Sequence, residues 1–195
     1  GVSIATVVII IGGVLLASKS STESKLSTES VDQSLLIKND SNKTGKNGAK
    51  VTLVEFGDFQ CPACGVSHPY VKQIISKYED KINFVFRNFP LQGHQNAMVS
   101  AEAAEAAGEQ GKYWEMHNKL FDTQADWGGD VPLSNDDAIE QFVSYAKALG
   151  LDTEKFKQAI ESNKFEQKIK QDQQDGYSLG VNGTPTFFLN GKQYT

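Results

Sequence analysis

The chain has 195 residues, 39% of them apolar, and carries 24 acidic against 19 basic side chains for a net charge of −5. No basic cluster is interleaved with aromatics, which excludes nucleic acid as an expected partner. Cysteine occurs only twice, which excludes a disulfide-stapled scaffold and leaves redox chemistry or part of a metal site as uses for the pair.

Residues 1–17 contain no charged side chain and are dominated by Val, Ile, Leu and Gly. Such a run reads as a membrane anchor or the core of a signal segment, the anchor being preferred because Leu16, Ala17 and Ser18 make a weak cleavage site. The missing initiator Met is read as the loss of whatever preceded Gly1. Residues 18–48 are rich in Ser, Thr, Lys, Asn and Asp, repeat Ser-Thr-Glu-Ser at Ser21 and Ser27, and read as a flexible polar linker. Residues 49–195 are enough for one ordinary core.

Within that domain, residues 51–59 are rich in β-branched and aromatic side chains and predict a strand, and residues 65–78 carry apolar side chains at helical spacing. A second strand is expected over 81–89, ending before Pro90, and strand, helix, strand at this spacing implies a parallel β-α-β unit. Helical patterning then covers 96–107, 112–122, 134–149, 152–162 and 164–179. Ser134 with Asp137 reads as a capping box, and Trp114, Phe121 and Trp127 as core or domain-interface aromatics. Residues 181–189 return to strand character with Pro185 near the entrance, and Asn190-Gly191 signals a type I′ hairpin turn. The return strand is only a few residues long at Thr195, which reads as a truncated C-terminus.

Cys61 and Cys64 lie one helical turn apart where the first strand hands over to the first helix. Unpaired N–H groups and the helix dipole at such a point favour an anion, so the Cys61 thiol is expected to ionise more easily than a free cysteine. The thiolate is the form that attacks disulfides. A structural zinc site would need two further ligands, and the three histidines, His68, His94 and His117, lack the H-x3-5-H spacing that partners a C-x-x-C pair. A soft-metal module using Cys61, Cys64 and His68 remains a rival reading. No EF-hand spacing is present.

A strand, Phe59-x-Cys61-Pro-x-Cys64 opening a helix, a second parallel strand, a helical excursion, and Gly183-Thr184-Pro185 leading into a hairpin together resemble an α/β thioredoxin fold with an inserted helical domain. In particular the arrangement is similar to the DsbA-like thiol-disulfide oxidoreductases of bacterial envelopes, over residues 49–195, with the insertion at about 94–179. The resemblance implies that Cys61 is the exposed nucleophile, Cys64 the buried resolving cysteine, Pro185 a cis-proline lining a substrate groove with the Thr184 backbone, and Glu55 the acid that moves the proton of the buried thiol. It implies no cofactor and no metal. It also implies disulfide donation to reduced, unfolded exported proteins, a membrane redox partner that restores the pair, and an extracytoplasmic domain on a single-pass anchor, or a secreted one if residues 1–17 are cleaved. Strongly oxidising members carry histidine where this chain has Ala63, so a less oxidising disulfide is expected. A disulfide reductase or isomerase on the same fold is the alternative.

Overall fold

The computed structural model describes residues 31–194. The segment read as an anchor or signal, 1–17, and the first part of the polar linker lie outside the described residues. Among the described residues no helix is long and apolar enough to cross a membrane.

Five strands, β1 (Asn42–Gly45), β2 (Val51–Gly57), β3 (Ile82–Asn88), β4 (Thr186–Leu189) and β5 (Lys192–Tyr194), form one mixed sheet in the order β1-β3-β2-β4-β5. β2 and β3 are parallel, joined by helix α2 (Pro62–Lys77), as the β-α-β pattern requires. β4 runs antiparallel to β2 and turns back into β5 through Asn190 and Gly191. Their φ values of 49° and 83° are the two positive angles that a type I′ turn needs. The turn is also tied to the central strand, since the Thr52 N–H donates to Asn190 Oδ1 at 2.8 Å.

Period-2 alternation sorts β2 between two cores. Leu53 and Glu55 face α2, together with Phe84 and Phe86 of β3, while Val54 and Phe56 face the opposite side with Val85 and Phe188. Helices α3 (Ala97–Glu109), α4 (Tyr113–Asp122), α5 (Gln124–Gly128), α6 (Asn135–Ala148) and α7 (Thr153–Glu161) extend the first core. The alanine-rich α3 sits at its centre, packed by α4, α6, α7 and α8 (Glu166–Ser178). The Ser134 hydroxyl caps α6 by accepting from the Asp137 N–H at 3.2 Å. Trp127, Phe121 and Trp114 all pack into this core, and the Trp127 indole N–H donates to Leu120 O.

Helix α8 does something different from the other helices of the excursion. It lies against β3, and its Gly176 leaves room for the rings of Phe89 and Phe56. Arg87 of β3 is completely buried beneath it and pairs with Asp172 at 2.8 Å and Asp175 at 2.6 Å. Burial raises the Asp172 pKa against the pull of Arg87. At Asp175 the same burial is outweighed by hydrogen bonds from Arg87 and Gln171, and its pKa falls.

The stretch assigned to a flexible linker over 18–48 is corrected by the structure from its midpoint onward. Helix α1 (Gln33–Leu36) buries Leu36 in the second core, and its carbonyls at Leu35 and Leu36 accept hydrogen bonds from Arg87 at 2.6 and 2.9 Å. β1 then forms the sheet edge against β3, and Asn42 donates to the buried Glu105 at 2.9 Å. Apart from the apolar residues around Leu36, too few to display a period, these contacts run through backbone carbonyls and polar side chains, so no apolar periodicity marks them in the sequence. Helix α5 was likewise not expected, because five residues are too few to display a period.

Arg87 serves two buried carboxylates and two helix carbonyls at once, and truncating it removes the buried positive charge from between Asp172 and Asp175. Arg87→Ala is expected to lose about 3–5 kcal/mol of stability in urea unfolding; a loss below about 1 kcal/mol would mean the network is screened by solvent.

Candidate active site

The loop between β2 and α2 is built to present one sulfur. Cys61 occupies the N-cap of α2, Pro62 follows in the first turn where its missing N–H costs nothing, and the helix starts at once. Asp58 holds the loop from the sheet side. Its backbone carbonyl accepts from the Cys61 N–H at 3.1 Å, and its buried carboxylate accepts from the N–H groups of Gln60 at 2.8 Å and Leu91 at 3.0 Å. The same carboxylate meets His94 Nδ1 at 2.6 Å. From the other side Gln124 of α5 donates to Phe59 O at 2.7 Å and Cys61 O at 2.9 Å.

Of the residues expected at the site, Cys61 meets Cys64 and Thr184, and Glu55 lies close enough for their charges to interact. Cys61 and Cys64 are both free thiols, Cys64 fully buried; the exposed nucleophile expected at Cys61 is corrected, since Cys61 is only 6% exposed where Thr184 covers it. The Thr184–Pro185 peptide bond is cis, and Cys61 Sγ lies 3.4 Å from Thr184 O, across 123 positions of sequence. Glu55 is 3% exposed on the sheet face beneath α2. Its carboxyl reaches up the strand to within 3.3 Å of where a Cβ on Gly57 would stand, toward the motif.

These positions push the ionisable groups in opposite directions. The hydrogen bond from Cys64 holds the Cys61 pKa down to about 5 against the cost of burial, helped by Thr184 and by the N–H groups of Cys64 and Ala63. The Thr184 hydroxyl is buried with no other partner, so it is the donor an ionised Cys61 can take up. Burial drives the Cys64 pKa far up, and its hydrogen bond to Cys61 adds to this. Glu55 is raised to about 8, first by burial and then by the charge on Cys61. At neutral pH the reduced site therefore holds one thiolate, one thiol and one carboxylic acid.

Burial keeps His117 and His68 from adding charge here. His117 is buried among Phe59, Phe86 and Phe121, and burial lowers its pKa to about 3, with His68 adding to the effect. His68 stacks on Phe121 and is also lowered by burial. Among the described residues no three His, Cys, Asp or Glu side chains converge as a metal site. The supporting roles of Asp58 and Gln124 escaped the sequence reading, because a lone polar side chain on a loop carries no periodic signal.

Stability should follow pH through these groups with opposite signs. A raised carboxyl binds its proton more tightly in the folded state, so Glu55 contributes stability that is lost as pH rises from about 4.5 to about 8. The depressed Cys61 does the reverse, losing its contribution as pH falls from about 9 to about 5. The oxidised protein, lacking the thiolate, is expected to lose stability over pH 5–8, and reduced Glu55→Gln to gain it. Urea titrations of both across that range give the two slopes; parallel curves would contradict the assignment.

Comparisons with known proteins agree with this geometry. Residues 38–195 match the sequence model of a family described as thioredoxin. Among curated proteins, the Na(+)/H(+) antiporter NhaA 1 of Salinispora arenicola is 38% identical over 151 residues, which is 77% of this chain and 22% of that protein. The chain thus spans less than a quarter of that relative's length. Among solved structures, oxidised BdbD from Bacillus subtilis superposes with a TM-score of 0.70 at 25% identity, over 80% of this chain and 84% of that one. The thiol-disulfide exchange protein alpha-DsbA2 from Wolbachia pipientis gives 0.69 at 23% identity, over 84% and 83%. The chain belongs to the thioredoxin family, and its fold is that of the DsbA-like thiol-disulfide oxidoreductases.

Proposed function

We propose that this protein is a thiol-disulfide oxidoreductase that donates the Cys61–Cys64 disulfide to reduced exported proteins. The observation that carries the reading is the split between the two sulfurs: Cys61 caps the helix N-terminus 3.4 Å from Thr184 O and is held down toward thiolate, whereas Cys64 is fully buried and held as thiol. A stabilised Cys61 thiolate favours the reduced pair, which makes the disulfide an acceptor of electrons.

In the oxidised protein a substrate thiolate attacks Cys61 Sγ, forming a mixed disulfide and expelling Cys64 as a thiolate. Glu55, its pKa raised to about 8 and its charge felt by Cys64, is proposed as the acid that returns a proton to Cys64. A second substrate thiolate then attacks the substrate sulfur of the mixed disulfide and expels Cys61, whose low pKa makes it a good leaving group. Two electrons have moved from substrate to the pair, and a membrane redox partner is needed to remove them. Extended substrate chain is proposed to lie beside cis-Pro185, using the backbone at Thr184 for hydrogen bonds. Residues 1–17 are proposed to hold the domain at the outer face of the membrane as an anchor, or to leave it secreted if they are a cleaved signal.

Cys61→Ala should abolish oxidation of a dithiol peptide, and Cys64→Ala incubated with oxidised glutathione should accumulate the Cys61–glutathione mixed disulfide as one glutathione thiol is released, visible by mass spectrometry. Retained turnover in Cys61→Ala would end the reading. Titration against glutathione buffers fixes the direction of flow: a potential of roughly −180 to −120 mV fits donation or shuffling, and one near −270 mV a reductase.

A further inference from the structure

We propose that Gln124, reaching in from the inserted helices, is a positioning residue for the Cys61 thiolate, and that Gly65 is glycine in order to admit it. The inference rests on the redox reading of Cys61 and Cys64. Gln124 is the first residue of α5, directly after Thr123, whose hydroxyl donates to Lys119 O at 2.8 Å. One turn later Trp127 is fully buried and anchors the short helix through its bond to Leu120 O. The Gln124 side chain is therefore carried on a fixed turn, and its amide NH2 bridges the carbonyls of Phe59 and Cys61.

Both acceptors flank the nucleophile. The Cys61 carbonyl also takes the first helical hydrogen bond, from the Gly65 N–H at 3.1 Å. A donor on that oxygen offsets negative partial charge beside the sulfur and fixes the turn whose Ala63 and Cys64 N–H groups serve the thiolate. Without it the turn can rotate those N–H groups away.

Gly65 supplies the second observation. It sits inside α2, where glycine costs about 1 kcal/mol relative to alanine, and it has none of the positive φ that would require it. A methyl group there would overlap the side-chain oxygen of Gln124. The local propensity cost thus coincides with the place where the Gln124 carboxamide crosses the helix. Gly65→Ala should strengthen the helix while displacing Gln124, which separates positioning from simple stability.

The test is a double-mutant cycle on the purified protein with Gln124→Ala, Gly65→Ala and both together. The readouts are the Cys61 pKa, from thiolate absorbance, and the equilibrium with glutathione. Each single variant is expected to raise the Cys61 pKa and lower the oxidising equilibrium constant about threefold, equivalent to about 14 mV at 29.6 mV per tenfold change. The double variant should show no more than either single. If Gln124→Ala does not fold, Gln124→Met, which keeps the length but not the donors, carries the same expectation. Unshifted or simply additive variants in a protein that exchanges with glutathione would overturn this inference alone. A wild-type pair that does not exchange at all would overturn the redox reading, and this inference with it.

Discussion

The register of β2 against β4, with Phe56 opposite Thr186, is the constraint on which the site depends. Each strand leaves the sheet just beyond this pair, β2 upward into the Cys61 loop and β4 backward into Pro185 and Thr184. The hydrogen-bond ladder thereby sets two loops, 123 positions apart in sequence, within contact of one sulfur. A slip of one residue would turn Glu55 to the opposite face and move Thr184 off Cys61. The ladder is held in place by both cores, since β2 is covered by α2 on one face and by α8 with α1 on the other.

The same burial that steadies the sheet does the electrostatic work. Charge is disfavoured wherever water is excluded, and each buried ionisable group responds according to the donors within reach. Cys61 finds a thiol, a hydroxyl and two backbone N–H groups and ionises. Cys64 and Glu55, shut off from water, have less such support and keep their protons. The chemistry available to the pair follows from that difference in donor supply over a single helical turn. On the far side of β3 a separate network obeys the same rule, Arg87 keeping Asp175 ionised while Glu102 and Glu105 are pushed toward protonation by burial.

The inserted helices are more than a lid on the hydrophobic core. Through Gln124 and through Asn96, whose backbone N–H donates to Gln60 Oε1 at 2.6 Å, they grip the loop that carries the nucleophile. The helical excursion and the thioredoxin core are one body at this point, with the aromatic cluster of Phe59, Phe86, His117 and Phe121 filling the space between them. Two buried histidines kept neutral in that cluster add no positive charge beside Cys61, and Ala63 adds none from within the motif.

By itself the sequence determined the elements whose signals are local. Alternating apolar residues gave β2 and β3, amphipathic spacing gave α3, α4, α6, α7 and α8 to within a few residues, and Asn190-Gly191 gave the hairpin. The Cys-x-x-Cys pair and Gly183-Thr184-Pro185, taken in order, also pointed to the fold and to the residues that meet in the site. Only the tertiary structure decided what depends on long-range contact. It alone assigned α1 and β1 to the fold, because their worth lies in carbonyls given to Arg87 and a ladder given to β3, neither of which leaves a pattern in side chains. It alone placed Glu55 in a dry environment rather than on an exposed strand, since burial is a property of what covers a residue. Gln124 and Gly65 belong to the same class: an amide and a missing methyl group acquire meaning only when sixty positions of chain fold back to put one against the other.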